Sequence, residues 1–318
     1  AGVASSGRQT SSVDRDGISS SAREIPSPAG TADADMTTGG AAFREIQAAA
    51  RSTAAKSGGN APTQEYLIRH TLESFLDRLT RTTHHGQFVL KGGVLLAAYG
   101  ARRPTRDADS NAISADVTAE HLVRVVRDIA AIEANDGVVF DTDTISTQEI
   151  REEADYPAFR VRVNAEIGPW AGTAVWDVST GDPMVPPPRL VTLDRVLGNP
   201  ISLLGYAPET TIAEKAVTIL ERGIASTRWR DYVDIVQLAG HGIDPNALLR
   251  SARAVARHRG VTLEPIAPHL VGYGAVAQAK WAAWRRKEQL ESVCEETLDE
   301  QINLVTNIID SVFAHGPE

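Results

Sequence analysis

Hydrophobic residues recur every three or four positions between Thr63 and Arg81, and this period predicts an amphipathic helix. A short apolar run, Phe88–Leu90, follows and ends at Lys91-Gly92-Gly93, after which Val94–Tyr99 is again apolar at helical spacing. Beyond it, strand-like segments flank one helix that Thr118 can cap. The strands are expected at 105–113, 138–142, 159–166 and 173–179.

The second part of the chain has a different pattern. The triple proline Pro186–Pro188 is a stiff connector, and beyond about residue 200 all predicted elements are helices. Thr211 and Glu214 form a capping-box pattern, which predicts a helix start that places Lys215 in the first turn. Further helices are expected near 228–239, 244–257, 274–293 and 297–314. We therefore predict a bilobed protein: an α/β (α+β) lobe with a small mixed sheet, plus an all-helical C-terminal lobe.

The N-terminal segment is poor in large apolar side chains. Residues 1–60 contain no leucine and one aromatic residue, Phe43. Since such a segment buries too little surface to offset its ordering entropy, we expect residues 1–40 to be a disordered extension, with a short helix at 41–55. Met36 is a candidate start, with residues 1–35 upstream of it. The predicted domains are 41–200, mixed α/β, and 201–318, helical.

Composition narrows the class of protein. The 318 residues carry 32 basic and 41 acidic side chains, a net charge of −9, which argues against a general nucleic-acid coat protein. The single cysteine, Cys294, cannot form an internal disulfide. No apolar stretch reaches about 18 residues, and the sequence shows no signal-peptide core, so we expect a cytoplasmic protein without a membrane span.

Among four Asp-x-Asp pairs, Asp107 and Asp109 have the most informative context. On a strand, residues i and i+2 point to the same side, so both carboxylates converge, and a divalent metal ion would relieve their repulsion. Upstream, Gly92-Gly93 closes a short strand and opens a helix, where the backbone allows a phosphate to approach. The structural alternative for the Asp107/Asp109 pair is a solvated turn, and the alternative for Gly92-Gly93 is a tight strand–helix turn.

Together these motifs resemble a known family. Phe88–Leu96, with its Leu-Lys-Gly-Gly run, and Arg103–Asp109, with its Arg-x-Thr-x-Asp-x-Asp run, are similar to the AbiEii/AbiGii nucleotidyltransferase toxins, which include the mycobacterial MenT-like toxins. Ala213–Ala216 resembles the family's lysine motif, and Arg230–Ile235 resembles its Arg-Asp-x-x-Asp motif. The resemblance covers roughly residues 40–315. Polar Ser110-Asn111 departs from it, where many members have apolar residues.

The resemblance implies a Mg²⁺-dependent enzyme that transfers a nucleoside monophosphate from an NTP to an acceptor hydroxyl. MenT-like relatives act on the 3′ end of tRNA, which blocks translation, and a cognate antitoxin is expected as a partner. Asp107 and Asp109 would hold the metal, while Asp107, Asp109, Asp177, Lys215 and Asp231 would be catalytic. The NTP would be bound by Lys91, Gly92, Gly93, Arg103, Thr105 and Lys215.

Lys215 also has an interpretation of its own. The dipole of the first helical turn disfavours a cation, which indicates an anionic partner such as a triphosphate, although a salt bridge to Glu214 or Glu221 is an alternative. Asp231 and Asp234 share a helix face at i, i+3. One interpretation is that they form ion pairs with Arg228 or Arg230. The resemblance implies another, in which Asp231 positions Lys215 or the acceptor end.

Asp177 lies within the strand expected at 173–179 and is the candidate third carboxylate. In nucleotidyltransferases a carboxylate on a neighbouring strand acts as the base for the incoming hydroxyl. The alternative is a strand-end residue bonded to the following turn, and Asp182 is a weaker substitute for the base.

Positive charge is concentrated at 244–290, which holds eight basic and three acidic residues. Arg250, Arg253 and Arg257 share one helical face and are candidates for RNA binding, or they form a solvated face. Trp281 and Trp284 could stack on bases but equally fit a core. Two other functions stay open: transfer to a protein side chain, and a catalytically weak module that binds RNA or a partner.

Overall fold

The computed structural model describes residues 30–57, 60–113, 117–150 and 158–314. The helices are α1 Gly30–Ser57, α2 Thr63–Arg81, the single turn α3 Gly92–Leu95, α4 Ala119–Ala130, α5 Pro208–Arg222, α6 Trp229–Ala239, α7 Pro245–Arg259, α8 Tyr273–Glu288 and α9 Leu298–Phe313. The strands are β1 Phe88–Lys91, β2 Ala108–Ala112, β3 Val139–Glu149, β4 Ala158–Ile167, β5 Trp170–Thr180, β6 Arg189–Leu193 and β7 Ile201–Gly205.

The strands form one mixed sheet of seven strands in the order β3-β4-β5-β2-β1-β7-β6. β2 pairs with β5 in parallel and with β1 antiparallel, while β1 pairs with β7 in parallel. The register places Asp109 beside Asp177 on one side and beside Lys91 on the other. Three polar residues from distant parts of the sequence are thereby neighbours in the middle of the sheet.

The mixed α/β class predicted from the sequence is confirmed, and α2 has the predicted bounds. The Thr118 side chain caps α4 by accepting a hydrogen bond from the backbone N–H of His121. Helix α1 begins at Gly30, eleven residues before the expected start at Ala41, and buries Ile46 and Ala50. Residues 1–29 lie outside the described residues, so the expectation for them stays a prediction.

Two expectations for the second part of the chain are wrong. Residues 201–205 form β7, which extends the sheet beside β1, so this part is not entirely helical. Helix α5 begins at Pro208, with its N-cap at Ala207, because proline fits the first turn, where its missing N–H is not needed. Thr211 is therefore not the cap, and Lys215 lies in the second turn rather than the first.

Two hydrophobic cores stabilise the fold. One packs α2 and α4 against the sheet around Phe75, Phe88 and Trp176. The other packs α5 to α9 together around Tyr232 and Trp281, and it also includes Leu96 and Ala101 from the first part of the chain. The division into two lobes near residue 200 stays a prediction. No helix among the described residues has the length and apolarity that crossing a membrane requires.

Candidate active site

Three aspartates meet at the middle of the sheet. Asp109 lies on β2 beside Asp177 of β5, and Asp107 immediately precedes β2. Arg160, directly across from Asp177 on β4, donates two hydrogen bonds to the Asp177 carboxylate, from Nε at 2.8 Å and from Nη2 at 2.6 Å. The same Nη2 lies 4.0 Å from Oδ2 of Asp107. Arg160 therefore lies between two of the carboxylates and holds Asp177 in a fixed orientation.

The negative charges of these three aspartates lie close together, and Asp109 is the one most affected. Burial raises the pKa of Asp109 to about 7, and the neighbouring Asp107 adds to the increase, while Lys91 and Lys215 counteract it. A carboxyl group with this pKa is a sign that negative charge here lacks sufficient compensation. A cation bound between Asp107 and Asp109 would supply it.

The Gly92-Gly93 pair lies directly under this cluster. Gly92 has φ +67°, a conformation that favours glycine, and a β-carbon at this position would overlap the Asp109 carboxylate. A β-carbon on Gly93 would stand 2.7 Å from Oγ1 of Thr105. The Thr105 hydroxyl in turn donates to Oδ1 of Asp107 at 3.2 Å. The motif residues thus form one tightly packed unit in which neither glycine has room for a side chain.

Lys91 has a protein partner that the sequence did not indicate. Its ammonium group donates to Oδ2 of Asp182 at 2.6 Å, and the same oxygen accepts a hydrogen bond from the Ser179 hydroxyl at 2.8 Å. The Asn111 amide donates to the backbone carbonyl of Asp182 at 3.0 Å. Polar Asn111, a departure from the family pattern, therefore anchors the segment that holds Lys91. Asp182 is thus the ion-pair partner of Lys91, and its role as a substitute for the base stays a prediction.

A second group of charged residues forms around Lys215, which bridges two aspartates of α6. Its Nζ lies 2.7 Å from Oδ1 of Asp231 and 2.9 Å from Oδ2 of Asp234. Although desolvation lowers the pKa of Lys215, these two carboxylates raise it overall, so the lysine is charged. The expected partners Glu214 and Glu221 are not the ones observed. The helix dipole does not explain the position of Lys215 either, because the dipole acts mainly on the first turn and Lys215 lies in the second.

Two arginines complete this cluster. Arg103 donates to both carboxylate oxygens of Asp234, at 2.7 and 2.9 Å, and Nε of Arg228 donates to Oδ2 of Asp231 at 2.7 Å. Three cations thus share two buried carboxylates, which leaves a net charge of +1. We call Lys215, Arg103, Arg228, Asp231 and Asp234 the basic cluster.

The three aspartates and every member of the basic cluster except the buried Asp234 line one cavity of about 1200 Å³. Ligand pockets for one drug-sized molecule measure about 300–1,000 Å³, so this cavity has room for more than one such group. All residues predicted to be catalytic or to bind the NTP line it. They are Lys91, Gly92, Gly93, Arg103, Thr105, Asp107, Asp109, Asp177, Lys215 and Asp231.

The predicted RNA-binding residues lie elsewhere. Arg250, Arg253 and Arg257 are on α7 and do not line the cavity, and Arg250 and Arg257 are exposed. The cavity is lined instead by basic residues that the sequence did not single out for binding. These are Arg160, Arg222, Arg228, Arg230 and Arg259. Arg160 was missed entirely, since only the strand register brings it to Asp177.

A magnesium ion requires oxygen ligands, and the carboxylates of this site are the candidates. Within the described ranges, no group of three or more His, Cys, Asp or Glu side chains has the arrangement of a metal site. Asp177 is occupied by Arg160, which leaves the carboxylates of Asp107 and Asp109. Mg²⁺ is typically bound by one or two carboxylates together with substrate phosphates, so this pair of oxygen donors fits the ion.

Comparison with known proteins identifies the class. Residues 74–301 match a family model of nucleotidyl transferase toxins, so the chain is a nucleotidyltransferase with a mixed α/β fold. The family is AbiEii, described as a toxin of a Type IV toxin–antitoxin system, and the chain belongs to it because the match spans more than half of its length. Membership implies an NTP substrate and an antitoxin partner.

Two crystal structures from Helicobacter pylori are similar to this chain. One protein, assigned as a nucleotidyltransferase, is 15% identical, with a TM-score of 0.45, over 79% of this chain and 96% of its own. The other, JHP933, is 14% identical, with a TM-score of 0.44, over 79% of this chain and 93% of its own. No curated protein matches the sequence.

Proposed function

We propose that this protein transfers a nucleoside monophosphate from an NTP to the 3′ hydroxyl of an RNA, with the 3′ end of tRNA as the acceptor, and thereby blocks translation. The observation that carries the proposal is the cavity itself: three aspartates of the sheet and a basic cluster of net positive charge line one space of about 1200 Å³. The tRNA acceptor rests on the resemblance to the MenT-like toxins.

The proposed reaction is a substitution at the α-phosphorus of the NTP. The acceptor hydroxyl oxygen forms a bond to the α-phosphorus, the bond from that phosphorus to the oxygen bridging to the β-phosphate breaks, and pyrophosphate leaves. The hydroxyl proton passes to the carboxylate of Asp177. Arg160 fixes the direction of that carboxylate through two hydrogen bonds, which suits a group that must meet the hydroxyl in one geometry.

The triphosphate is proposed to bind between Gly92-Gly93 and the basic cluster, whose extra positive charge attracts it. Asp107 and Asp109 would hold Mg²⁺, which when bound supplies positive charge to the phosphate oxygens. Asp231 and Asp234 keep Lys215 charged and fixed in position, so its charge is available without a change in conformation. We propose this as the reason that the family's lysine and aspartate motifs occur together.

The test is to incubate the protein with each of the four radiolabelled NTPs and Mg²⁺, with total RNA and, separately, with protein from the same cells. We expect label in RNA of tRNA size and none with the Asp109→Asn variant. Label in protein alone would overturn the RNA acceptor. Absence of label from both, with the protein shown to be folded, would overturn the enzymatic function and favour a binding module.

A further inference from the structure

Trp284, which lines the cavity, differs from the other four tryptophans. The indole N–H groups of Trp170, Trp176, Trp229 and Trp281 donate to Gln64, Ser110, Tyr273 and the Glu295 carbonyl, respectively. Within the described ranges, the N–H of Trp284 has no such partner. Trp284 is also the only one of the five that lines the cavity.

The ring of Trp284 is held rigidly. It stacks on Trp281 with 5.2 Å between ring centroids and 29° between planes, and it contacts Trp229 at 5.8 Å. Trp281 is fully buried, whereas Trp284 is half-buried. A large aromatic surface that is already fixed loses little conformational entropy when a ligand stacks on it. The two tryptophans of α8 therefore differ: Trp281 belongs to the core and Trp284 is accessible.

Positive charge lies beside this ring in the same cavity. Arg228 and Arg230, at the start of α6, line the cavity, and 55% and 48% of their side chains are exposed. Arg230 pairs with Glu288, one turn beyond Trp284 on α8, so the two helices hold the arginine near the aromatic side chain. An aromatic platform beside exposed cations is the arrangement with which proteins bind single-stranded nucleic acid.

We propose that Trp284 stacks on a base at the 3′ end of a single-stranded RNA acceptor, with Arg230 beside the adjoining phosphate. The inference rests on the proposed function and identifies where the second substrate binds. An NTP carries its negative charge in the triphosphate, for which Gly92-Gly93 and the basic cluster are the proposed site. Exposed arginines next to an aromatic ring suit a ligand that has a phosphate beside the stacked base. An RNA strand has such a phosphate in its backbone, whereas the phosphates of an NTP are bound at the other site.

The test uses an eight-nucleotide single-stranded RNA with a free 3′ hydroxyl. The Trp284→Leu variant keeps apolar volume against Trp281 but removes the aromatic face, and Trp284→Phe keeps an aromatic face. We expect Trp284→Leu to raise the KM for RNA about tenfold or more, with the KM for NTP unchanged, and Trp284→Phe to retain most of the affinity. Trp170→Leu, on β5 outside the cavity lining, is the matched control and should change neither constant.

Binding is measured separately from turnover, by fluorescence anisotropy of the same RNA with a 3′-deoxy end. If the parent protein binds this RNA but does not label the RNA that has a free 3′ hydroxyl, the proposed function fails, while weaker binding by Trp284→Leu still supports the platform. A rise in the KM for NTP in place of that for RNA assigns the ring to the NTP base and overturns the inference. Equal RNA binding by parent and Trp284→Leu overturns it too.

Discussion

Gly92 lies so close to Asp109 that a β-carbon on the glycine would overlap the aspartate's carboxylate. The two residues are adjacent because β1 and β2 pair antiparallel, with Lys91 opposite Asp109. The positive φ of Gly92 turns the chain from β1 into α3 at this point. The glycine therefore does two things: it allows the turn, and it leaves the space that the carboxylate fills.

We expect Gly92→Ala to reduce transfer at least tenfold, because the new β-carbon must displace Asp109 and the backbone must hold an alanine at φ +67°. The strain should also lower the free energy of unfolding by about 1–3 kcal/mol. Turnover and urea denaturation of the purified variant measure both effects. Gly86→Ala, where the added carbon meets nothing within 4 Å, is the control, and equal losses in the two variants would refute the close-contact explanation.

Replacing either aspartate of the pair should abolish transfer without unfolding the protein. Asp107→Ala and Asp109→Ala each remove one of two carboxylates whose charges repel, so we expect the melting temperature of both variants to be at least that of the parent. Labelling assays and thermal denaturation decide this. Unchanged turnover in either folded variant would remove the pair from the site.

The pKa of Asp109 predicts a specific dependence of stability on pH. A carboxyl group whose pKa is about 7 when folded and 3.8 when unfolded binds its proton more tightly in the folded state. Stability is therefore lost as the pH rises from about 4 to 7. Asp109→Asn removes this contribution, so the variant should gain melting temperature relative to the parent as the pH rises. The measurement is a melting series from pH 4 to 8 in EDTA, and a difference that does not change with pH would contradict the raised pKa.

Lys215 should affect both stability and activity. Lys215→Ala leaves Asp231 and Asp234 with one arginine each in a buried site, and we expect a loss of roughly 3 kcal/mol together with the loss of transfer. Lys215→Arg should fold but not restore full activity, because a planar guanidinium replaces a compact charge. The double variant Lys215→Met/Asp231→Asn should recover stability but not transfer. Full activity in it would show that the lysine is only structural.

The sequence was a good guide where one local pattern decides the structure. The helical period at 63–81 predicted α2 to the residue, and the strand that carries Asp177 was correctly located. The start of α5 was misjudged because Thr211 and Glu214 imitate a capping box, while Pro208 marks the true first turn. The short strands β6 and β7 were missed because they lie next to a proline-rich connector and lack a long alternating pattern.

The motif residues could be listed from the sequence, but several of their partners could not, although Arg228 for Asp231 and Asp231 for Lys215 were among the alternatives. Arg160 meets Asp177 only because β4 and β5 pair in one particular register. Lys91 and Asp182 are 91 positions apart, and no local signal connects them. For Lys215 the sequence offered a triphosphate, a nearby glutamate or, through the resemblance, Asp231. The packing of α5 against α6 gives it Asp231 and also Asp234.

We expect residues 1–35 to be dispensable. A chain that begins at Met36 keeps the part of α1 that packs on the domain, including Ala42, Ile46 and Ala50, which are buried. The shortened protein should have the melting temperature and transfer rate of the full chain. Lower solubility or activity of the truncated protein would contradict this prediction.

The basic residues of α7 raise the question of how much RNA the protein contacts. Arg250 and Arg257 are exposed on α7 and do not line the cavity, whereas Arg259, at the end of the same helix, does line it. An RNA whose 3′ end enters the cavity could thus continue along α7. On this hypothesis the arginines bind the backbone of the RNA and contribute nothing to NTP binding.

Replacing Arg250, Arg253 and Arg257 together with serine should weaken binding of full-length tRNA and flatten its salt dependence. Each lost phosphate contact should reduce the slope of log K against log salt by up to about 0.9, because fewer counterions are released. The KM for NTP and the binding of an eight-nucleotide RNA should change little, since both are proposed to bind in the cavity, which these three arginines do not line. Serine at the exposed residues Arg51, Arg124 and Arg127 removes the same charge elsewhere and controls for a general electrostatic effect. If both triple variants shift the slope equally, or if neither does, the face of α7 is only solvated, and the body of the tRNA must bind another surface.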